Sequence, residues 1–326
     1  MPLIPTKPND QTGQSRAVTA PPKPAEKQMV FPLSDPKYTF DDMILSDNVM
    51  DELQTVVEAQ RCWKIVFEEW GLGTVLRERK NLFINLYGAS GTGKTMAAHA
   101  IAAALHKKLV CVNYADIESK FVGETSKNLT QLFSQPDTKG QIIFFDEADA
   151  LLSKRVTDMS SATDVSVNQT RSVLLTLLNS YEGMVIFATN FISNYDSAFM
   201  RRIQYHIRFD LPNEELRERL WTHYLPAQMP VDAQTSELAK ISEGLSGSDI
   251  STAVLKAALK AARLQHSVVT HSDFQEAVET IRKSQNANTT QHERVTRVTE
   301  IVDESEVPEH IRNKANKKEI HEEVIT

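Results

Sequence analysis

One short loop constrains the fold of this chain more than any other feature. Gly88–Thr95 reads Gly-Ala-Ser-Gly-Thr-Gly-Lys-Thr and matches the pattern G-x-x-x-x-G-K-[ST] at every fixed position. The loop follows an apolar run at Leu82–Tyr87, which predicts a buried strand, and precedes a helical pattern over Met96–Ala102. Glycines at these positions let several backbone N–H groups point at one anion, beside the positive end of a helix. The sequence therefore predicts a strand–loop–helix unit that holds the phosphates of a nucleoside triphosphate.

The side chains of this loop predict specific contacts with the ligand. Lys94 is expected to reach the β- and γ-phosphates, and the Thr95 hydroxyl is expected to bind Mg²⁺. A glycine-rich turn that binds nothing is the alternative, and the flanking strand and helix argue against it. The residues predicted to contact the nucleotide at this loop are Gly88, Ala89, Ser90, Gly91, Thr92, Gly93, Lys94, Thr95 and Met96.

Composition narrows the classes of protein to which the chain can belong. With 326 residues it has room for two folded units, and its formal net charge of -7 argues against broad nucleic-acid binding, although a local basic patch stays open. Cys62 and Cys111 are too few for a disulfide framework or a zinc site, which favours a reducing compartment. Cys111 lies in an apolar run and is expected to be buried. No stretch has the length of a membrane span and no signal-peptide core is present, so we expect a soluble, cytoplasmic protein.

The distribution of residue types along the chain predicts four successive segments. Residues 1–37 are rich in proline and polar residues and are expected to form a flexible tail. From 38 to 211, short apolar runs alternate with helical patterns, which is typical of an α/β fold. Residues 212–283 are expected to form a small all-helical subdomain. Residues 284–326 are expected to form a polar, mobile tail, with one docking helix as the alternative.

The α/β segment is predicted to be a parallel sheet of the P-loop NTPase class, flanked by helices. Amphipathic patterns at Ser126–Phe133 and Asn168–Ser180 predict two of those helices. The predicted strands are Leu82–Tyr87, Leu109–Asn113, Ile142–Asp146, Val185–Ala188 and Tyr205–Phe209.

N-capping patterns predict where two helices of the all-helical subdomain begin. Ser248–Leu264 is predicted to be a helix with Ser248 as its N-cap, and Ser272 with Gln275 forms a capping-box pattern at the start of another. The predicted buried face of the first helix consists of Ile250, Val254, Leu255, Ala258, Leu259 and Ala262.

Two carboxylates follow the central apolar run of the α/β segment. Gln141–Glu147 reads Gln-Ile-Ile-Phe-Phe-Asp-Glu, so Asp146 and Glu147 lie at the C-terminal end of a predicted strand, where ligands bind in open α/β sheets. We expect Asp146 to hold the Mg²⁺ that bridges the β- and γ-phosphates, and Glu147 to polarise the attacking water as a general base. A strand followed by a solvated acidic turn is the alternative, and the phosphate loop upstream favours the catalytic interpretation.

These motifs, within about residues 38–283, resemble the AAA+ ATPases, and more narrowly the main AAA clade that includes katanin- and spastin-like remodellers. The resemblance implies ATP and Mg²⁺ as ligands. Asn190 follows a predicted strand and looks like the sensor-1 asparagine of that family, whose amide orients the lytic water and contacts the γ-phosphate. An asparagine after a strand is otherwise a common turn former.

Asp196–Arg202 resembles the arginine-finger segment of the family. Such fingers reach the ATP of the neighbouring subunit, so the resemblance implies a homo-oligomer, namely a hexameric ring. Arg201 and Arg202 are the expected fingers, and solvated arginines with local ion pairs are the alternative. Many family members have a glycine between the two arginines. This chain lacks that glycine and in this respect resembles the katanin and spastin pattern.

Phe121, Val122 and Gly123 resemble the first pore loop of these rings. The resemblance implies that Phe121 grips an extended polypeptide in the central channel and that Gly123 lets the loop bend. The end of a strand is the alternative for such a triplet. A second pore loop is expected within Ser153–Val167.

Gly244–Ile250 resembles the hinge of the family's helical lid subdomain, which lies close to the adenine. Gly247 and Ser248 occupy the place where other AAA+ groups carry the sensor-2 arginine. This replacement is typical of the remodeller clade and implies that both residues line the nucleotide site.

The resemblance implies a ring-forming ATPase that remodels, unfolds or disassembles a protein substrate threaded through a central pore. No folded substrate-binding domain is recognisable, so recognition is expected to fall to the two tails or to an adaptor protein. A nucleic-acid-associated ATPase of the helicase-loader type is an alternative, against which the acidic charge and Phe121 argue. A slow, nucleotide-gated assembly scaffold is another, and it is compatible with intact Lys94 and Glu147.

Overall fold

The computed structural model describes residues 30–76, 81–113, 117, 124–135, 140–153, 162–190 and 195–293. These residues form two compact units. The first contains Asp47–Gly88, Lys94–Phe209 and the described residues that precede Ile44. The second contains Ile44–Ser46, Ala89–Gly93 and the described residues from Asp210 onward. None of the helices within the described ranges has the length and apolar character of a membrane span.

A mixed, mostly parallel sheet forms the centre of the first unit. Its strands are β1 (Leu33–Ser34), β2 (Leu82–Gly88), β3 (Leu109–Asn113), β4 (Ile142–Asp146), β5 (Met184–Thr189) and β6 (Tyr205–Phe209). They lie in the order β1-β3-β4-β5-β2-β6. β1 pairs antiparallel with β3, and the other neighbouring strands pair in parallel. This arrangement is the α/β fold expected from the sequence.

The predicted strands are confirmed with small changes at their ends. β3, β4 and β6 have the predicted bounds, β2 continues to Gly88, and β5 is longer by one residue at each end. The agreement has a physical reason: strands covered on both faces are near-continuous apolar runs, which are easy to recognise in a sequence. In β4 and β5 these runs place Phe145 and Phe187 side by side, with their rings stacked at 5.3 Å.

Helices surround this sheet in the first unit. The predicted helical patterns at 126–133 and 168–180 lie within two of them. Short helical turns of other types occur at Phe40–Asp42 and Ile65–Glu69. The α-helices are α1 (Asp47–Arg61), α2 (Leu72–Val75), α3 (Lys94–Ala104), α4 (Glu124–Ser134), α5 (Asp149–Leu152), α6 (Ala162–Ser180) and α7 (Ser197–Met200).

The structure differs from expectation at the β1 edge of the sheet. Residues 30–37 were predicted within a flexible tail, yet β1 pairs with β3 and Phe31 is buried. The backbone N–H and C=O of Phe31 both bond to the side chain of Gln135, over 3.1 and 3.0 Å. Apolar burial and backbone pairing together hold this segment against its loss of conformational entropy.

Cys111 is exposed, contrary to the prediction that it is buried. Successive side chains of a strand point to opposite faces, and Val110 and Val112 are both fully buried on either side of it. The Cys111 side chain therefore lies on the other face of β3, 3.6 Å from the Ser34 hydroxyl. Cys62 is also free and exposed.

The second unit is helical but contains a small parallel pair of strands that the sequence did not predict. Its elements are α8 (Glu214–Tyr224), β7 (Val231–Asp232), α9 (Thr235–Ile241), α10 (Gly247–Arg263), β8 (Val269–Thr270) and α11 (His271–Glu293). The last helix continues beyond the expected end at 283. Trp221 and Phe274 are fully buried at the centre of this unit, in an edge-to-face arrangement at 5.5 Å.

The starts of α10 and α11 differ from their predicted caps. Ser246, not Ser248, caps α10 and forms a capping box with Asp249. At α11, the equivalent hydrogen bonds join Thr270 and Asp273, not Ser272 and Gln275. In each case several Ser or Thr residues precede an acceptor at capping-box spacing, and the tertiary structure selects among them.

The buried face of α10 is rotated from the predicted one. Leu255 and Leu259 were expected in the core, but their side chains are 59% and 61% exposed. Ile250 and Val254 are buried as predicted, and the other buried positions are Ala253, Ala257 and Ala261. Of the remaining predicted positions, Ala258 is half-buried and Ala262 is exposed. Alanine at successive turns lets a neighbouring helix approach closely, so the small residues face the core here.

Candidate nucleotide-binding site

Neighbouring strands of the sheet end at one edge, and their ends carry the predicted site residues. β4 ends at Asp146, β5 at Thr189 and β2 at Gly88, and these strands are adjacent in the order β4-β5-β2. Asn190 directly follows β5, and α3 begins at Lys94. Parallel strands bring residues that are far apart in sequence to the same carboxyl edge, which is where ligands bind in open α/β sheets.

Gly88 cannot be replaced by a larger residue without moving the backbone. Its φ is +139°, and a Cβ at this position would lie 2.0 Å from the carbonyl oxygen of Phe209 on β6. That separation is far below any real contact, so the chain requires glycine where β2 enters the loop. The contact with Phe209 thus explains why the first fixed position of the motif must be glycine.

The middle of the loop, Ala89–Gly93, packs within the second unit. Gly91 has a φ of +75°, and a Cβ there would lie 2.5 Å from the Ser246 hydroxyl. The backbone N–H of Ser248 donates to the Gly91 carbonyl over 3.2 Å. A Cβ on Gly247 would lie 3.7 Å from the same carbonyl oxygen. Gly247 and Ser248 therefore lie beside the loop, and their role in nucleotide binding stays a prediction.

Lys94 is nearly buried and directed at the end of β5. Its Nζ donates to the Gly88 carbonyl over 2.8 Å and to Asn190 Oδ1 over 3.0 Å. Burial lowers the pKa of the Lys94 ammonium, and the carboxylates of Asp146 and Asp149 oppose this shift. The structure therefore brings the predicted phosphate-binding lysine and the predicted sensor asparagine together.

Thr95 and Asp146 form the second pair of the site. The Thr95 hydroxyl donates to Asp146 Oδ2 over 3.0 Å, and Asp146 Oδ1 accepts from the backbone N–H of Glu147 over 3.0 Å. In the described part of the chain, no cluster of three His, Cys, Asp or Glu side chains could hold a metal by itself. One hydroxyl and one carboxylate still suit Mg²⁺, because this ion is usually held by one or two protein ligands together with substrate phosphates and water.

Glu147 has a left-handed backbone with a φ of 51°, which is uncommon for a residue other than glycine. Its side chain is exposed at the edge of the sheet, directly after β4. Residues held in such conformations cluster at functional sites. The geometry leaves the Glu147 carboxylate free to approach a water molecule, as a general base requires.

The two predicted finger residues have different environments. Arg201 is the C-cap that follows the short helix α7, and its side chain is exposed, with no ion pair or side-chain hydrogen bond to any described residue. Arg202 bonds within its own chain, from Nε to Asn179 Oδ1 and from Nη1 to the Ala198 carbonyl, each over 2.7 Å. The geometry favours Arg201 for contact with another subunit, and both assignments stay predictions.

The residues of the two predicted pore loops fall largely beyond the described ranges. Phe121, Val122 and Gly123 lie outside the described residues, as does much of the predicted second pore loop between Ser153 and Val167.

One residue that the sequence reasoning did not single out is Asp149, whose carboxylate contacts Thr189 and the backbone of Asn190. Its position two residues after Glu147, in the run Asp-Glu-Ala-Asp, is the signal that could have identified it.

Comparison with known families agrees with this site. Residues 84–211 match the profile described as the ATPase family associated with various cellular activities (AAA). Residues 232–276 match the profile of the AAA+ lid domain. The two matches cover the predicted phosphate loop, both carboxylates and part of the second unit.

Several curated proteins are similar to this chain over long stretches. The proteasome-activating nucleotidase of Methanopyrus kandleri is 32% identical over 254 residues, which are 76% of this chain and 57% of the relative. The nucleotidase of the same name from Aeropyrum pernix is 33% identical over 205 residues, or 60% and 50% of the two chains. The 26S proteasome regulatory subunit 4 homolog of Schizosaccharomyces pombe is 30% identical over 261 residues, or 76% and 56%. The chain thus spans about half the length of the curated relatives it matches.

Proposed function

This chain belongs to the AAA family of ATPases, and we propose that it hydrolyses ATP and uses the reaction to remodel a protein substrate. The observation that carries the proposal is the convergence of Lys94, Asn190 and the Thr95–Asp146 pair at one edge of the sheet, with Glu147 exposed beside them. A phosphate-binding cation, oxygen ligands for a metal and an accessible carboxylate are the groups that phosphoryl transfer to water requires.

The protein groups divide the chemistry among them. The loop N–H groups and the Lys94 ammonium bind the phosphates and offset their negative charge. The Asn190 amide orients the attacking water, and the Glu147 carboxylate accepts the proton that this water loses. Mg²⁺ held by Thr95 and Asp146 would supply further neutralisation of charge on the β- and γ-phosphates.

The active form is proposed to be a ring of identical subunits, with six as the expected number. The exposed side chain of Arg201 supports this, since an arginine that has no partner among the described residues is available to the nucleotide of a neighbour. An arginine supplied in trans stabilises the transition state of phosphoryl transfer by several orders of magnitude in rate. The katanin- and spastin-like assignment remains a narrower proposal within the same family.

A protein is the proposed substrate. The relatives named as proteasome-activating nucleotidases and as a proteasome regulatory subunit support work on proteins rather than on nucleic acids. The formal net charge of -7 supports the same choice. Phe121, Val122 and Gly123 are the proposed substrate contacts, an adaptor protein is the proposed aid to recognition, and the free cysteines support a cytoplasmic location.

Replacement of Glu147 by Gln tests this function directly. Glu147→Gln keeps the shape of the side chain and removes the base, so ATP should still bind while turnover falls by about 10²- to 10⁴-fold. Steady-state hydrolysis and binding of a fluorescent ATP analogue measure the two effects separately. Glu237→Gln, an exposed change in the second unit, is the matched control and should keep normal turnover. Normal turnover in Glu147→Gln would contradict the assigned base, and stimulation of the wild-type enzyme by DNA but by no protein would contradict the proposed substrate.

A further inference from the structure

Asp149 holds the chain segment that carries Asn190. It is the first residue of α5, and its carboxylate oxygens both accept hydrogen bonds from the end of β5. The Thr189 hydroxyl donates to Oδ1, and the backbone N–H of Asn190 donates to Oδ2 over 3.5 Å. Next to this contact, the backbone N–H of Ala148 donates to the Ala188 carbonyl over 2.9 Å. The start of α5 and the end of β5 are therefore joined on either side of Thr189.

The side chain of Asn190 has a different partner from its backbone. While its N–H bonds to Asp149, its Oδ1 accepts from Lys94 Nζ over 3.0 Å. The position of the amide beside Lys94 therefore depends on where Asp149 holds the backbone. A displacement of about 1 Å in such a group is enough to lower a catalytic rate substantially.

Buried polar groups continue this contact toward the phosphate loop. The Tyr195 hydroxyl lies within hydrogen-bonding reach of the Thr189 side chain and donates to Asn85 Oδ1 over 3.4 Å. Thr189, Tyr195 and Asn85 are 1%, 5% and 0% exposed, so these contacts lie in the protein interior. Burial raises the pKa of Tyr195, which keeps its hydroxyl protonated and able to donate.

Asn85 is an unexpected residue at its position. It lies in the middle of β2, between the fully buried side chains of Ile84 and Leu86, where an apolar residue would be favoured. A buried amide destabilises the fold unless it is hydrogen-bonded. Tyr195 provides such a bond to the Asn85 oxygen, while Asn85 Nδ2 has no hydrogen-bond partner among the described residues. The polar residues thus connect α5, β5 and β2, and β2 is the strand that enters the phosphate loop at Gly88.

We propose that Asp149 is a positioning residue for ATP hydrolysis. It fixes the backbone at Thr189 and Asn190, and through them the place of the Asn190 amide beside Lys94. Tyr195 and Asn85 brace Thr189 against the strand that leads into the phosphate loop. This inference rests on the proposed ATPase function, which it deepens by adding a residue that acts through Asn190.

The replacement of Asp149 by Asn tests the role with little change in size. A carboxylate offers a separate acceptor oxygen to each of the two donors, whereas an amide places an NH2 group, itself a donor, at one of those positions. Asp149→Asn should therefore weaken the hydrogen bond with either the Thr189 hydroxyl or the Asn190 N–H. We expect kcat to fall by about 10- to 100-fold, with less than about a threefold change in the Kd of a fluorescent ATP analogue. Asp51→Asn, at an exposed position of α1, is the matched control and should change neither quantity.

A double-mutant cycle separates positioning from a merely structural role. If Asp149 acts through Asn190, the double variant Asp149→Asn/Asn190→Ala should have the kcat of Asn190→Ala alone, within about twofold. If the double variant instead lowers kcat by the product of the two single factors, the positioning role of Asp149 is overturned. Thr189→Val, which removes one donor and keeps the carboxylate, should lower kcat in the same direction by a smaller factor, and an unchanged kcat would overturn the contribution of the hydroxyl. A wild-type protein that does not hydrolyse ATP would instead overturn the proposed function itself.

Discussion

The ammonium nitrogen of Lys94 lies 3.0 Å from Oδ1 of Asn190, although the two residues are 96 positions apart in the chain. The contact links the helix that follows the phosphate loop to the end of β5. The Lys94 ammonium is therefore held at the end of β5, which gives the proposed phosphate site a positive charge in a fixed position.

Removal of the Asn190 amide should therefore affect turnover more than binding. We expect Asn190→Ala to lower kcat by about 100-fold, because one preorganised polar group is lost near the reacting phosphate. The Kd of ATP should change much less, since the loop N–H groups and Lys94 remain. Asn48→Ala, at an exposed position of α1, is the control. Equal losses in kcat and in affinity would show that Asn190 contributes to ground-state binding instead.

A mixing experiment tests whether Arg201 acts on a neighbouring subunit. Lys94→Ala and Arg201→Ala should each have little activity alone, the first for lack of nucleotide binding and the second for lack of a finger. In an equal mixture that assembles at random, about a quarter of the interfaces combine an intact phosphate loop with an intact arginine, so activity should reappear. Activity in the mixture that stays at the level of the separate variants would contradict action in trans.

Arg202 should behave differently from Arg201. Its hydrogen bonds to Asn179 and the Ala198 carbonyl lie within one chain, so Arg202→Ala should lower the melting temperature of the protein. Arg201→Ala, which removes no such bond, should leave the melting temperature unchanged. The comparison is made by calorimetry on the two variants under the same conditions. A fall in the melting temperature for Arg201→Ala alone would reverse the assignment of the two side chains.

Gly88→Ala should destabilise the first unit by more than about 2 kcal/mol, because the new methyl group would meet the Phe209 carbonyl and the backbone has a positive φ. Gly71→Ala is a matched control, since Gly71 also has a positive φ, of +74°, but open space around a Cβ. We expect a cost of only about 1 to 2 kcal/mol there. Urea unfolding of both variants measures the difference, and equal costs would show that φ alone matters.

Acid should weaken the second unit through Asp273. Hydrogen bonds from the Thr270 hydroxyl and backbone N–H, together with Lys260, lower the pKa of Asp273 from 3.8 to about 2. Because the pKa of Asp273 is lower in the folded protein than in the unfolded chain, its charged carboxylate stabilises the fold at pH values above the unfolded-state pKa of 3.8. This stability is lost as the pH falls from about 4 toward about 2. Asp273→Asn should flatten that part of the curve of unfolding free energy against pH, with exposed Asp232→Asn as the control. A curve that stays as steep in Asp273→Asn would place the acid sensitivity elsewhere.

The sheet and most of the site could be predicted because their signals are local. A fully buried parallel strand is a continuous apolar run, and the phosphate loop requires fixed residues within one short segment. The Asp146–Glu147 pair is recognisable for the same reason. The order of strands that brings Asn190 to Lys94 was not predicted, and the structure supplies both that order and the contact itself.

The parts that could not be predicted depend on distant contacts. The bond between Tyr195 and Asn85 joins residues 110 positions apart, and nothing near either residue signals it. The buried face of α10 is rotated, with Leu255 and Leu259 exposed, because alanines face the helices around it. A prediction from hydrophobic periodicity favours burial of leucine over burial of alanine, so it selects the wrong face here. The caps at Ser246 and Thr270 were missed because neighbouring residues carry equivalent patterns.

The positive φ at Glu147 has a consequence for how this site can evolve. A side chain in the left-handed region costs about 1 to 2 kcal/mol relative to glycine, which adopts it freely. Glycine at position 147 would therefore be expected to give a more stable protein, and one without a base. The residue proposed as the base is thus not the one that folding favours, and selection for stability alone would remove it.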